Sequence, residues 1–223
     1  MDLTNLGLYS LQQAAALSGA KTLEINRWLF GYRSREGGVH APLWEVELSG
    51  ERKKNIGFRD LMELRIVSAF VRKGVPLRVI RQALVNSKQI FGIQYPLTSR
   101  RFLTDGQSIY HEALDSESDE LTDLVKRQLV FRNIIKPSLY EGIEFDKSGA
   151  ANRWFPMKDH TVVVDPTVAF GRPSLASYGV PTETLFLVYK AEGNDFLAVS
   201  HQFGIPVNDI QKAVKFESQL LAA

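Results

Sequence analysis

Ser10-Leu11-Gln12-Gln13-Ala14-Ala15-Ala16-Leu17-Ser18-Gly19-Ala20-Lys21-Thr22-Leu23-Glu24-Ile25-Asn26-Arg27-Trp28-Leu29-Phe30-Gly31 is the stretch on which the fold turns. Ser10 followed by Gln13 is a capping box, in which the hydroxyl takes the amide of the third helical residue and the Gln side chain reaches back. A helix therefore starts near Leu11, with Leu11, Ala14, Ala15 and Leu17 as its apolar stripe. Ser18-Gly19-Ala20 interrupts it, and a second helical run from Lys21 to Phe30 carries Ile25, Trp28 and Leu29 at helical spacing until Gly31 ends it. Two short helices joined by a Gly-containing turn of about three residues have the form of a helix-turn-helix, whose second helix enters the major groove of DNA. Packing alone gives some small α domains the same spacing.

If Ile25, Trp28 and Leu29 face inward, Lys21, Thr22, Asn26 and Arg27 face outward. An Asn amide can pair bidentately with an adenine edge, whereas Lys21 and Arg27 suit phosphates. Glu24 either accepts from a cytosine amino group or faces solvent. Tyr32 to Gly38 and Val39 to Trp44 read as two extended pieces about a glycine turn, a wing that would lay Arg33 and Arg35 along the duplex. Arg52-Lys53-Lys54 offers a second phosphate-seeking cluster or, taken by itself, a solvated loop.

From Phe58 the pattern is strongly helical, with Leu61, Leu64, Val67 and Val71 in one stripe widened by Met62, Ile66 and Phe70. Gly74 closes this core helix, Pro76 opens the next, and Leu77, Ile80 and Leu84 carry it toward Phe91-Gly92. Arg72, Lys73, Arg78 and Arg81 at the junction could touch a flanking phosphate.

Charge divides the chain. The first 110 residues hold 16 Lys and Arg against 9 Asp and Glu, and the remainder holds 11 against 16. A basic half suits a polyanion and an acidic half is repelled by it, so any DNA contact belongs to the first part. With no cysteine there is neither a disulfide framework nor a thiolate metal site. Without a signal-peptide pattern at Met1, or any run near the roughly 20 apolar residues of a membrane span, a soluble cytoplasmic protein of bacterial type is expected. His40, His111, His160 and His201 lack metal-ligand spacing, and neither a phosphate-binding glycine loop nor a nucleophile elbow occurs. No catalytic residue, metal or cofactor is therefore expected.

Further along, Phe102 to Tyr110 around Asp105-Gly106 predicts a hairpin, and the acidic run Asp115 to Glu120 a boundary or a helix start. Leu121, Leu124, Val125 and Leu129 predict a helix. Gly142 to Phe145 and Arg153 to Phe155 should pair across Ser148-Gly149, with Trp154 as a core plug. Thr161 to Val164 reads as a short buried strand running into the Pro- and Gly-punctuated loop Asp165 to Pro173. Three helices should follow: Glu183 to Ala191 capped by Thr182, Asp195 to Phe203, and one opened by Pro206 with Ile210, Ala213 and Val214 inward. The outer face of that last helix, with Asn208, Asp209, Lys212 and Lys215, matches phosphate poorly, so the unit is assigned to protein contacts. The expected fold is mainly α with small β hairpins. It divides into residues 1–115, a connecting helix and hairpin over 116–159, and a trihelical unit over 160–223.

Tyr9-Ser10-Leu11, Ala14-Ala15, Ser18-Gly19-Ala20 and Ile25 to Trp28, followed by Met62 to Ile66, Arg72 to Leu77 and Ile80-Arg81, resemble the winged helix-turn-helix of MerR-family regulators. That resemblance covers about the first 90 residues and implies a reading helix with Lys21, Thr22, Asn26 and Arg27 and a wing near Arg33 and Arg35. The long dimerising helix of metal- and drug-sensing members is not recognisable. Asp165-Pro166, Phe170 to Pro173, Val180-Pro181-Thr182, Ala191-Glu192-Gly193 and the tail through Phe216-Glu217 resemble the domain-of-unknown-function-433 family. Chains joining the two look like antitoxins of VapBC-type systems. The resemblance then implies an antitoxin that binds its own operator DNA and a PIN-type ribonuclease toxin, whose carboxylate and metal site would meet Arg127, Arg132 or Arg153; a short reading helix covers few base pairs, so a homodimer on two half-sites is expected. The competing expectation is a free-standing MerR-like regulator with an unknown ligand.

Overall fold

The Ser10 hydroxyl accepts from the Gln13 amide at 3.2 Å while Gln13 Oε1 accepts from the Ser10 amide at 2.9 Å, so the first helix begins as its capping box requires. In the computed structural model, which describes residues 6–35, 37–48, 54–102 and 140–222, this helix is α1 (Leu11–Ser18) and α2 (Thr22–Phe30) follows it. Gly19 between them is left-handed at φ 68, and a Cβ there would also collide with the Arg72 guanidinium. Two longer helices come next, α3 (Phe58–Arg72) and α4 (Leu77–Phe91), and three close the chain: α5 (Thr182–Ala191), α6 (Phe196–Phe203) and α7 (Val207–Ala222).

Strands are short and pair antiparallel in twos: β1 (Tyr9–Ser10) with β4 (Asn55–Ile56), β2 (Tyr32–Arg33) with β3 (Val39–His40), β5 (Ile143–Phe145) with β6 (Ala151–Trp154), and β7 (Val162–Val163) with β8 (Ser174–Leu175). Trp154 and Val164 exchange backbone hydrogen bonds at 2.9 and 2.8 Å, which joins the β5–β6 hairpin to β7. The chain is thus mainly helical with small antiparallel ribbons, and both hairpins that periodicity predicted within the described residues form. The hairpin expected around Asp105-Gly106, the acidic run and the helix from Leu121 lie outside the described residues. Strands β1, β4 and β8 were not expected, because two residues leave no alternation to read.

Apolar burial follows the predicted stripes. Leu61, Leu64, Val67, Met62, Ile66 and Phe70 are buried on α3, and their cluster extends from Tyr9 and Ile25 to Trp154, Val162 and Phe216. A second cluster of Leu175, Leu185, Val199, Ile205, Ile210, Ala213 and Val214 fills the trihelical end. The two ends meet where Tyr9 Oη donates to the Gly171 carbonyl at 2.7 Å and the Leu8 amide to the Phe170 carbonyl at 3.0 Å. This close approach requires glycine: at Gly171 (φ 81) a side chain would enter the space of the Tyr9 phenol.

Thr182 departs from expectation. It is the first residue of α5 rather than its cap, and its hydroxyl makes the Pro173 carbonyl at 3.1 Å and the Glu217 carboxylate its partners. Pro181 takes the N-cap position without a side chain that could cap, and the Thr182 hydroxyl forms a tertiary latch between α5 and α7.

Two carboxylates on α3 are fully buried. Asp60 accepts from Trp44 Nε1 at 2.9 Å and from the Glu47 and Gly57 amides, each at 3.0 Å. One turn on, Glu63 accepts from the Leu97 and Thr98 amides at 3.0 Å and from Thr98 Oγ1 at 2.9 Å. Burial pushes Glu63 up to about 8, against which the three donors act. Burial and the Asp60 charge raise Glu47 to about 7.

Glu63→Gln would set an NH2 against a backbone N–H in either orientation, so it should cost about 1–3 kcal/mol, read as a lower urea midpoint at unchanged slope. Glu47 binds its proton more tightly folded than unfolded, so its contribution is complete below its unfolded pKa and fades as pH rises through about 7. Glu47→Gln should correspondingly reduce the fall in stability between about pH 4.5 and 7, followed by urea denaturation across that range.

Candidate nucleic-acid interface

The second helix starts on Lys21, whose amide donates to Glu24 Oε2 at 2.8 Å. Glu24 thus has a role sequence left open: its carboxylate closes the first turn, where the helix dipole also favours a negative charge. Inward, Ile25, Trp28 and Leu29 are buried as expected. Outward, Lys21, Thr22 and Arg27 are exposed, and so is Leu23 at 60%.

Asn26 is only half-exposed, and its Oδ1 accepts from Lys54 Nζ at 2.7 Å, leaving the amide NH2 as its free edge. Lys54 also lies over the Phe30 ring at 4.8 Å. Antiparallel pairing of Ser10 with Asn55 brings the end of the basic loop across to α2, so Lys54 joins the candidate face. Arg52 and Lys53 fall outside the described residues. Lys54 was visible in the sequence only as part of a charge run; a two-residue strand places it.

The wing expectation corresponds to β2 and β3, with Tyr32 opposite His40 and Arg33 opposite Val39. Its turn is closed by Ser34: the Ser34 amide donates to Gly38 O at 2.8 Å, while Ser34 Oγ accepts from the Gly38 amide at 3.0 Å. Gly31, at φ 71, joins α2 to this hairpin, and a Cβ there would sit 2.6 Å from the His40 carbonyl. The Tyr32 and His40 rings stack at 4.4 Å, and the Arg27 guanidinium lies 5.2 Å from the Tyr32 ring centre. Arg27 is consequently positioned by the hairpin, and helix and hairpin present one surface. Arg33 and Arg35 are exposed on it.

Arg81, expected near a phosphate, instead donates to the Ala41 and Pro42 carbonyls at 2.8 Å each, anchoring the strand that leaves the hairpin to α4. Arg72 is turned toward Gly19.

The remaining candidates fare differently. Arg127 and Arg132 lie outside the described residues. Arg153 pairs across the β5–β6 hairpin with Glu144, Nε to Oε2 at 2.7 Å and Nη2 at 2.6 Å. On α7, Lys212 pairs with Asp159 at 2.9 Å and Asp209 accepts from Tyr178 Oη at 3.1 Å, so these polar groups are committed within the chain. Among the described residues no cluster of three or more His, Asp or Glu could hold a metal, and no helix is long and apolar enough to cross a membrane.

If Arg27 neutralises one phosphate, Arg27→Ala should lower the slope of log affinity against log salt by about one unit, as measured by fluorescence anisotropy on duplex DNA. If the Asn26 NH2 reads a base edge, Asn26→Ala should erode discrimination between sequences in the same assay.

No family model matches the chain. It is similar to a curated protein of Mycobacterium tuberculosis named putative antitoxin VapB45, 25% identical over 222 residues that span 93% of this chain and 92% of the relative. It also superposes on the crystal structure of Rv2018 from Mycobacterium tuberculosis with a TM-score of 0.68 at 24% identity, over 95% of this chain and 99% of the other. The overall fold, from α1 to α7, is therefore one already seen in a solved protein.

Proposed function

We propose that this chain is the antitoxin of a type II, VapBC-like toxin–antitoxin pair. In this reading α1, α2 and the β2–β3 hairpin form a winged helix-turn-helix of the MerR kind that binds operator DNA and autoregulates transcription. The remainder makes a homodimer and holds a PIN-type ribonuclease toxin, and the chain itself has no catalytic task. The division into residues 1–115, 116–159 and 160–223 belongs to the same proposal.

The observation that carries it is the relative named as an antitoxin, which aligns over nearly the whole of both chains. A match of that extent includes both ends of the molecule rather than a shared DNA-binding module alone. The exposed cations Lys21, Arg27, Arg33, Arg35 and Lys54 on one helix-and-hairpin surface support the DNA arm. Two half-sites held by a dimer would compensate for a reading helix of nine residues, which spans few base pairs.

The toxin arm rests on electrostatics of the opposite sign. A cluster of carboxylates around divalent metal attracts a guanidinium, and Arg127, Arg132 and Arg153 are the candidates. Arg153 would have to exchange Glu144 for a toxin carboxylate, which is feasible because that pair is about 43–44% exposed and of small net value.

Purification of the full chain from its native cells after nuclease treatment should recover a small ribonuclease in stable complex, and co-expression should relieve that nuclease's growth arrest. Recovery of the chain without any nuclease, with DNA binding intact, would shift the assignment to a free-standing regulator.

A further inference from the structure

Arg65 projects from α3 with its guanidinium carbon 3.6 Å from the centre of the Trp154 ring. No carboxylate pairs with it among the described residues, and its hydrogen-bond acceptor there is the Met62 sulfur at 4.0 Å. Desolvation and the Arg72 charge both lower its proton affinity. An indole face attracts a desolvated cation. Removing that cation from water costs more than the ring gives back, so the desolvation is only partly offset.

The guanidinium borders a cavity of about 170 Å³ between α3 and the segment that follows β6, large enough for several waters. Lys158 and His160 line the same cavity. His160 is held at φ 55, its imidazole stacked on Phe155 at 4.4 Å, a backbone conformation uncommon outside glycine that fixes the ring beside the opening. The carboxylate in the lining is Glu141, 55% exposed and 4.0 Å from Lys158, whose own side chain is 88% exposed, so one acid stands against two cations. The lining therefore holds an excess of positive charge around an apolar wall of Trp154 and Phe155.

We propose that this cavity binds a small oxyanion, a phosphate or carboxylate group, on the Arg65 guanidinium, with Lys158 and His160 as further donors. A planar fork of N–H groups matches both kinds of oxyanion, and at the rim Lys158 adds a second positive charge and His160 a ring nitrogen. Bound there, the anion would tie α3 to the loop after β6.

Isothermal titration calorimetry of the full chain with sodium phosphate, and separately with sodium acetate, at constant ionic strength in chloride tests this. Saturable one-site binding of at least one of the two is expected, the arms distinguishing phosphate from carboxylate. Arg65→Gln should weaken it by about tenfold or more, in line with loss of a charge-assisted pair. Should that variant not fold, the doubly substituted Lys158→Ala, His160→Ala chain reads the same site from its rim and should weaken binding by a smaller factor. No saturable heat from either anion up to about 50 mM would overturn the proposal, as would binding that the substitutions leave unchanged.

Discussion

Two carboxylates set one turn apart on α3 organise the N-terminal part of this molecule. Asp60 and Glu63 stand in an otherwise apolar helix face, where an unpaired acid would be strongly destabilising. Each is instead surrounded by donors from remote segments. Asp60 gathers Trp44, the Glu47 amide and the helix start at Gly57, and Glu63 gathers the Leu97–Thr98 turn. Such bonds are directional where apolar contacts are not, so they choose one arrangement of chain segments out of the many that would bury the same leucines.

The candidate interface depends on that arrangement. Trp44 lies just past the β2–β3 hairpin, so the Asp60 bond fixes the end of the strand that Arg81 grips at Ala41 and Pro42. Trp28 takes part from the other side, its carbonyl accepting from the Leu43 amide at 2.7 Å. Helix α2 and the hairpin are thereby held as one rigid surface, with Arg27 resting on Tyr32 and Lys54 on Asn26. A binding surface that is ordered beforehand loses less freedom on association, which suits the DNA contact proposed for this face.

Local signals carried much of this in the sequence. The Ser10 to Gln13 capping box, the apolar stripes of α3 and α4, and the glycine turns of both hairpins each depend on residues within a few positions of one another, and each appears where expected. Contacts that depend on distant pairing were not legible. Asp60 and Glu63 were not singled out, because periodicity treats an acid as solvent-facing until its donors are known. Lys54 looked like loop charge, since a two-residue strand brings it to α2. Thr182 carried the composition of a cap, and only the position of Glu217 explains why it latches two helices instead. The outward set Lys21, Thr22, Asn26 and Arg27 was readable from spacing, but the Asn26–Lys54 bond that orients the amide was not.

In the proposed antitoxin, the outer face of α2 and the β2–β3 hairpin lie together against a DNA duplex while the acidic remainder of the chain stays clear of it. Hydrogen–deuterium exchange of the full chain, with and without duplex DNA from upstream of its own reading frame, tests this most directly. Slower exchange on binding is expected to be confined to Thr22–Arg27 and Arg33–His40. Protection that skips both segments, or that falls on the helices of residues 182–222, would contradict it.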